Sequence, residues 1–210
     1  RACVEKGKEE EMLSWLYDED RLPSGFAGGL VTKNPEYRMK YLLITPTPYG
    51  NGNLLVAHSA SGAGGRSENG DLVARFDIKL DEDGCLESYN VLKDGEAAQN
   101  KEWFVYLESP LQSSRFNNQT YVDTLSKDAI AEFIRLTYKG YKDALGDDFG
   151  KAAPAIFTDE PQFAEKGVLT SPFEEKDVRF PFTTDFDETY KAAYGESFIP
   201  HIPELVWNLP

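Results

Sequence analysis

A change in the spacing of apolar residues along the chain is the feature that most limits its fold. In residues 73–80, VARFDIKL, every second side chain is apolar. A period of two residues is typical of a half-buried antiparallel strand. Residues 53–60 and 101–109 show similar alternation, and Asp-Gly turn signals follow the strands. These patterns predict an antiparallel β-rich unit over residues 41–113.

The spacing becomes helical in the second half of the chain. Ser126 is a candidate N-cap, and apolar side chains then recur every three or four positions, which predicts a helix over residues 127–145. A second helix is predicted over residues 187–194, directly before a glycine. Short apolar runs at 12–17 and 153–157 predict buried strands.

This order of elements is typical of βα units and a parallel sheet. A doubly wound sheet and part of a (β/α)8 TIM-type barrel both fit. SGFAGG and SGAGGR lack the spacing and the following helix of a phosphate-binding loop, which favours the barrel. We therefore expect an α/β chain in which residues 1–40 and 114–210 form part of a barrel and residues 41–113 are an inserted β-rich unit. Three strands are expected to be adjacent and parallel: 12–17, 121–124 and 153–157.

The charge of the chain limits its partners. It carries 36 acidic and 22 basic residues, and the resulting net charge of −14 argues against nucleic acid and anionic membrane surfaces. No stretch approaches the roughly 20 apolar residues of a membrane span. Cys3 and Cys85 show no metal-ligand spacing and leave the redox compartment open.

The two ends of the sequence predict a piece of a larger protein. It begins without Met, at RACVEKGKEE, and stops at HIPELVWNLP. Half a barrel leaves an open sheet edge and an uncovered apolar layer. We expect the rest of the parent protein, a second copy of the chain or residues 196–210 to cover that edge.

Two adjacent carboxylates, Asp159 and Glu160, follow the apolar run in PAIFTDEPQF. Pro161 biases Glu160 towards an extended backbone. In α/β folds the carboxyl ends of strands carry binding and catalytic groups. The pair is therefore a candidate site, and the structural alternative is that it caps the next helix or pairs with Lys166.

Three segments resemble rhamnosidase-type glycoside hydrolases and their uncharacterised relatives: WLYDEDRLPSGFAGG, NNQTYVDTLSKDAIAEFIRLTYKGY and GKAAPAIFTDEP. The resemblance covers roughly residues 1–40 and 100–163 in the same order. It implies about half of a catalytic (β/α)8 barrel from a larger enzyme that hydrolyses an α-L-rhamnoside or a related sugar. The isolated chain, with an incomplete barrel, is expected to be inactive.

Glycosidic hydrolysis supplies roles for these acids. One carboxylic acid protonates the leaving oxygen, and a second carboxylate activates water or attacks the anomeric carbon. We predict Glu160 as the acid and Asp159 as a group that orients or binds a hydroxyl. A second cluster, YDED, offers Asp18 and Glu19 as ligands for sugar hydroxyls. The alternative for YDED is a solvated turn.

A calcium ion is a further alternative for YDED, because carboxylate oxygens are its preferred ligands. No D-x-D-x-D-G loop with a distal Glu is present, so no metal or cofactor is predicted. Asn117, Tyr121 and Asp123 are predicted to bind substrate, since the resemblance implies a place for them near the pocket. His58 and His201 have no partner at catalytic spacing, which argues against a Ser-His-Asp site.

Two alternatives remain beside the hydrolase. A non-catalytic carbohydrate-binding module centred on residues 41–113 fits the aromatic residues of that block. A scaffold domain, whose parent protein does its chemistry elsewhere, also fits. Trp103 and Tyr106 are predicted to pack inside the β-rich unit, because aromatic residues in strands are more often core than ligand platforms.

Overall fold

The computed structural model describes residues 1–50 and 66–210. The strand predicted over residues 53–60, and with it His58, lies outside the described residues. Contacts divide the chain into two compact units, each made from two separate stretches of sequence. The first unit is Arg1–Met39 with Gln112–Phe163, and the second unit is Lys40–Leu111 with Ala164–Pro210.

The helices and strands follow one another along the chain in this order: α1 (Ala2–Glu9), β1 (Leu16–Tyr17), β2 (Lys40–Thr45), β3 (Asp71–Leu80), β4 (Leu86–Val91), β5 (Lys101–Glu108), α2 (Lys127–Leu136), α3 (Tyr138–Leu145), β6 (Ile156–Phe157), β7 (Val178–Phe182) and α4 (Phe186–Tyr194). Short 3-10 helices lie at Ala27–Gly29, Pro35–Tyr37, Ser114–Phe116, Gly146–Asp148 and Ile199–Leu205. None of the helices in the described ranges is long and apolar enough to cross a bilayer.

The second unit contains an open antiparallel sheet in the order β4-β3-β5-β2-β7. The predicted apolar face of β3 is buried at Ala74, Phe76 and Ile78, while Leu80 is half-buried and Asp77, on the opposite face, is buried as well. Trp103 and Tyr106 on β5 are buried as predicted, at 3% and 7% exposure. Trp103 packs edge to face against Trp207, so the C-terminal stretch, which includes residues 196–210, lies in this unit.

The predicted (β/α)8 barrel is wrong. β1 and β6 do pair in parallel, Leu16 with Ile156 and Tyr17 with Phe157, but they form a sheet of only two strands. Residues 121–124 are not a strand. Their backbone bonds instead to a loop, because the amide of Met39 donates to the Tyr121 carbonyl at 2.8 Å. The described residues thus hold a short parallel pair and an open antiparallel sheet, not a closed barrel with a β-rich insertion.

β7 supplies a second reason why no barrel forms. Its side chains alternate between buried and half-buried, with Val178, Phe180 and Phe182 facing the core of the second unit. Pairing with β2 as an antiparallel edge strand buries these three side chains. The stretch after β6, predicted to belong to a barrel, therefore continues into the antiparallel sheet.

The helix predicted over residues 127–145 is two helices, α2 and α3, separated at Thr137. Its predicted start is confirmed, because the Ser126 hydroxyl accepts a hydrogen bond from the Ala129 amide at 3.3 Å. At the break, the Thr137 hydroxyl donates to the Phe133 carbonyl at 2.7 Å. Such a bond competes with the helical hydrogen bonds of the backbone.

The first unit has small apolar cores and an exposed apolar edge. One core joins Phe26, Val122 and Phe133, which are all buried. Ahead of β1, however, Leu13 and Trp15 are 65% and 67% exposed. The predicted strand over residues 12–17 is therefore ordered as a strand only at its end, where β6 pairs with it.

Candidate functional site

The candidate site lies where β1 and β6 end. Asp18 and Glu19 follow β1, while Thr158 and Asp159 follow β6. Because the two strands are parallel, both sets of side chains lie at the same edge of the pair. This edge is the place where the sequence predicted binding groups.

Asp18 is the buried anchor of this edge, with an exposed fraction of 4%. Its Oδ1 accepts a hydrogen bond from the Ser24 hydroxyl at 2.6 Å. Its Oδ2 accepts from the hydroxyls of Tyr138 at 2.8 Å and Thr158 at 2.7 Å. A buried charge is tolerated when hydrogen bonds replace its water. Asp18 therefore holds α3, β6 and the Ser24 loop together.

Tyr17 joins two accessible carboxylates of this edge, Asp159 and Glu19. Its hydroxyl lies 2.6 Å from Oδ2 of Asp159 and 3.0 Å from Oε2 of Glu19. The hydrogen bond to Asp159 is the largest of the effects that raise the pKa of Tyr17 above its ordinary value. The phenol therefore stays protonated and shares one proton between two carboxylates.

A groove of about 420 Å³ opens beside this pair. One wall is the end of β1, Tyr17 to Asp20, and the facing wall is the surface of α2 and α3. The helical lining residues are Leu136, Thr137, Gly140, Tyr141 and Ala144, and Ala27 completes the lining. The Tyr141 hydroxyl donates to the Tyr17 carbonyl at 2.6 Å, which ties the two walls together. The volume is typical of sites for small molecules.

Glu160, the predicted acid, lies outside this arrangement. It is exposed. Like Asp159, it is not among the residues that line the groove, but Asp159 is hydrogen-bonded to Tyr17, which does line it. Its backbone is left-handed, with φ of 41°, so the expected extended conformation is wrong. Both backbone groups of Asp159 bond to Ser24, and the chain turns at the next residue. Phe157 and Phe163 are 50% and 59% exposed and do not enclose the Glu160 side chain in an apolar pocket.

The three other predicted binding residues have structural contacts. Asn117 is left-handed, with φ of 53°, and its side-chain amide donates to the Gly28 carbonyl at 3.0 Å. Asp123 is buried, and its Oδ1 accepts from the Leu125 amide at 3.0 Å. Tyr121 is buried and donates its hydroxyl to the Ser24 carbonyl. Of the three, Tyr121 thus contacts the loop that holds Asp18.

Several residues that shape the site were missed from the sequence. Tyr138 and Tyr141 belong to the run of residues with helical spacing that predicts the helix over residues 127–145. Their hydroxyls bond to Asp18 and to the Tyr17 carbonyl. Ser24 and Thr158 are small hydroxyl residues whose role depends on contacts distant in sequence. A tyrosine repeated on a helical face was the one available signal, since a buried phenol needs a partner.

The described residues show no arrangement of three or more His, Cys, Asp or Glu side chains around a metal position. In the YDED cluster, three hydroxyl groups surround the carboxylate of Asp18. Asp20 uses its Oδ1 to accept from the Gly28 amide at 2.8 Å. Calcium binding by YDED therefore stays an untested alternative from sequence, without support from this geometry.

Comparison of the chain with known protein families, with curated proteins and with solved structures finds no match. The resemblance to rhamnosidase-type glycoside hydrolases therefore stays a prediction.

Proposed function

We propose that the groove of the first unit binds a glycoside and that Asp159 and Glu19 hydrolyse its glycosidic bond. The observation that supports this proposal is the Tyr17 hydroxyl between the two carboxylates. Oδ2 of Asp159 and Oε2 of Glu19 therefore cannot lie farther apart than the sum of their two distances from the Tyr17 oxygen. That limit is compatible with the separation of about 5–5.5 Å between the carboxyl groups of retaining glycosidases.

The surroundings of the two acids suggest a division of roles. The backbone of Asp159 is fixed by Ser24, and its carboxylate is oriented by Tyr17. A fixed, oriented carboxylate suits attack on the anomeric carbon. Glu19 lines the groove and is assigned the proton transfers.

The reaction then follows two balanced steps. Asp159 forms a bond to the anomeric carbon while the glycosidic C–O bond breaks, and Glu19, which must enter this step as the protonated acid, gives its proton to the leaving oxygen. Glu19 next takes a proton from water, whose oxygen attacks the same carbon and releases Asp159. Glu160 is the second candidate for the proton donor, because it directly follows Asp159 in the chain.

The test uses the 210-residue chain itself. The expectation that this chain is inactive depended on an incomplete barrel, whereas the groove and both acids lie within the first unit. 4-Nitrophenyl α-L-rhamnopyranoside is the first substrate, followed by the corresponding glycosides of common hexoses and pentoses. Asp159→Asn should abolish turnover. Glu19→Gln should lower it by about 10²–10⁴-fold on the methyl glycosides of the same sugars, whose leaving group needs protonation, and by less on the 4-nitrophenyl glycosides.

Glu160→Gln separates the two proton-donor assignments, and Asp147→Asn is the control. Asp147 is exposed on a 3-10 helix of the first unit and lies outside the groove lining, so its substitution should leave turnover unchanged. A large loss in Glu160→Gln with none in Glu19→Gln would reverse the assignment. Hydrolysis that persists in Asp159→Asn would contradict the proposal itself.

The carbohydrate-binding alternative has less support. It relied on aromatic residues of the β-rich block, but Trp103 and Tyr106 are buried in the second unit. Neither ring is available for stacking on a sugar.

A further inference from the structure

Gly140 occupies a position where the chain itself does not need a glycine. It lies inside α3, and a Cβ built at this position has no atom within 4 Å. Its φ is not in the left-handed region that favours glycine. Glycine in a helix interior is less stable than alanine, because it loses more backbone freedom on folding. Neither packing nor backbone geometry therefore accounts for the residue.

The place of Gly140 in the groove supplies an explanation. Leu136 and Ala144 are four positions before and after it, so the three residues share one face of the helical wall. The middle of this face has no side chain. Across the groove lie Tyr17 and Glu19, whose polar groups form the other wall.

We propose that Gly140 is the floor of a subsite that accepts one sugar ring of a glycoside. The apolar face of the ring packs on the bare backbone between Leu136 and Ala144, and the hydroxyl edge faces Glu19. Tyr141 limits the width of the subsite, because its hydroxyl is held by the Tyr17 carbonyl. The identity of the ligand as a sugar rests on the proposed function, whereas the need for open space at Gly140 rests on the groove.

Two substitutions and one control test the subsite. Gly140→Ala adds one methyl group, and Gly140→Leu fills the floor. Ala131→Leu adds the same side chain to an exposed position of α2 outside the groove lining. Binding is followed by NMR titration with a panel of methyl glycosides of hexoses, 6-deoxyhexoses and pentoses, and thermal midpoints are measured in parallel.

Gly140→Ala should raise the thermal midpoint by about 1–4 °C and weaken sugar binding several-fold. Gly140→Leu should abolish binding while the protein stays folded, and Ala131→Leu should bind as the wild type does. A gain in stability with a loss of binding is not expected of a residue with a purely structural role.

The outcomes separate this inference from the proposed hydrolysis. If the wild type binds a glycoside, Gly140→Leu does not, and no variant shows turnover, the subsite is supported and the hydrolysis is wrong. If Gly140→Leu binds or turns over substrate as the wild type does, the subsite is wrong and the hydrolysis is unaffected. Failure of the wild type to bind any member of the panel at millimolar concentration overturns the subsite.

Discussion

Ser24 and Asp159 hold each other through two reciprocal hydrogen bonds. The Ser24 amide donates to the Asp159 carbonyl at 2.9 Å, and the Asp159 amide donates to the Ser24 hydroxyl at 2.9 Å. The same hydroxyl donates to the buried carboxylate of Asp18. Ser24 is 1% exposed, so water cannot take over these bonds without opening the loop. One small side chain thus fixes both the buried anchor and the proposed nucleophile.

Ser24→Ala should therefore destabilise the protein by about 1–3 kcal/mol, because Oδ1 of buried Asp18 loses its hydrogen-bond donor. The free energy of unfolding is measured by urea denaturation. Ser114→Ala, at an exposed position in the same unit, should change it by less than about 0.5 kcal/mol. Equal stability of Ser24→Ala and the wild type would show that the loop holds Asp18 by other contacts.

Glu108, at the end of β5, should be the most sensitive acid of the second unit. It is 1% exposed and accepts the hydroxyls of Tyr41 at 2.7 Å and Tyr49 at 2.6 Å. It also accepts the amides of Ser67 at 3.3 Å and Glu68 at 3.1 Å. Glu108→Gln replaces one accepting oxygen with an NH₂ group, which cannot accept the hydrogen bonds that these hydroxyls and amides donate. The free energy of unfolding should fall by at least about 2 kcal/mol, because each buried group left without a partner costs about 1–3 kcal/mol.

The matched control for Glu108 is Glu87→Gln on β4. Glu87 pairs with Lys79 at the surface, where both side chains are 48% exposed. Such pairs contribute about 0–1 kcal/mol. Urea denaturation should therefore show a much larger fall in the free energy of unfolding for Glu108→Gln than for Glu87→Gln. Similar falls in the two variants would mean that the hydrogen bonds of Glu108 contribute little to stability.

Tyr121 should give the protein a stability that is lost in alkali. Burial raises its pKa from 10.0 to about 12. The folded state therefore favours the protonated phenol, and this contribution is present below pH 10 and disappears as the pH rises towards 12. The difference in unfolding free energy between the wild type and Tyr121→Phe should shrink over that range. A difference that stays constant from pH 9 to pH 11 contradicts the burial of this phenol.

Glu174 should show the opposite dependence, in acid. Hydrogen bonds from Lys176 and Thr170 lower its pKa from 4.5 to about 2, and the bond from Lys176 has the largest effect. The folded state favours the carboxylate, so the contribution is present above about pH 4.5 and is lost as the pH falls through about 2. Denaturation of Glu174→Gln and the wild type at several pH values should show the gap closing only below pH 4.5.

Local features of the fold could be predicted from sequence where one stretch determines its own structure. Ser126 caps α2 because its hydroxyl reaches a backbone amide three residues away. The alternation in β3 places Phe76 and Ile78 in a core, whichever strands lie beside it. α4 ends before Gly195, whose φ of 87° glycine tolerates.

The partners of each strand could not be predicted in this way. β6 has two ordered strand residues and pairs with a strand near the other end of the chain. The strand β7 was not predicted from sequence, and although Val178, Phe180 and Phe182 alternate with less buried residues, that alternation does not identify β2 as the neighbour. The candidate site has the same limit: Asp159 was visible as a carboxylate after a strand, while its contact with Ser24 depends on tertiary structure.

The pairing of β1 with β6 has a consequence for the protein during its synthesis. Asp18 and Thr158, which meet at the end of these strands, are 140 positions apart in the sequence. At a translation rate of about 5–20 residues per second, roughly 7–30 s pass between their appearances. Throughout that interval Leu13 and Trp15 precede a strand that has no partner. The ribosome, rather than the strength of the final contacts, sets the earliest moment at which Asp18 and Thr158 can meet.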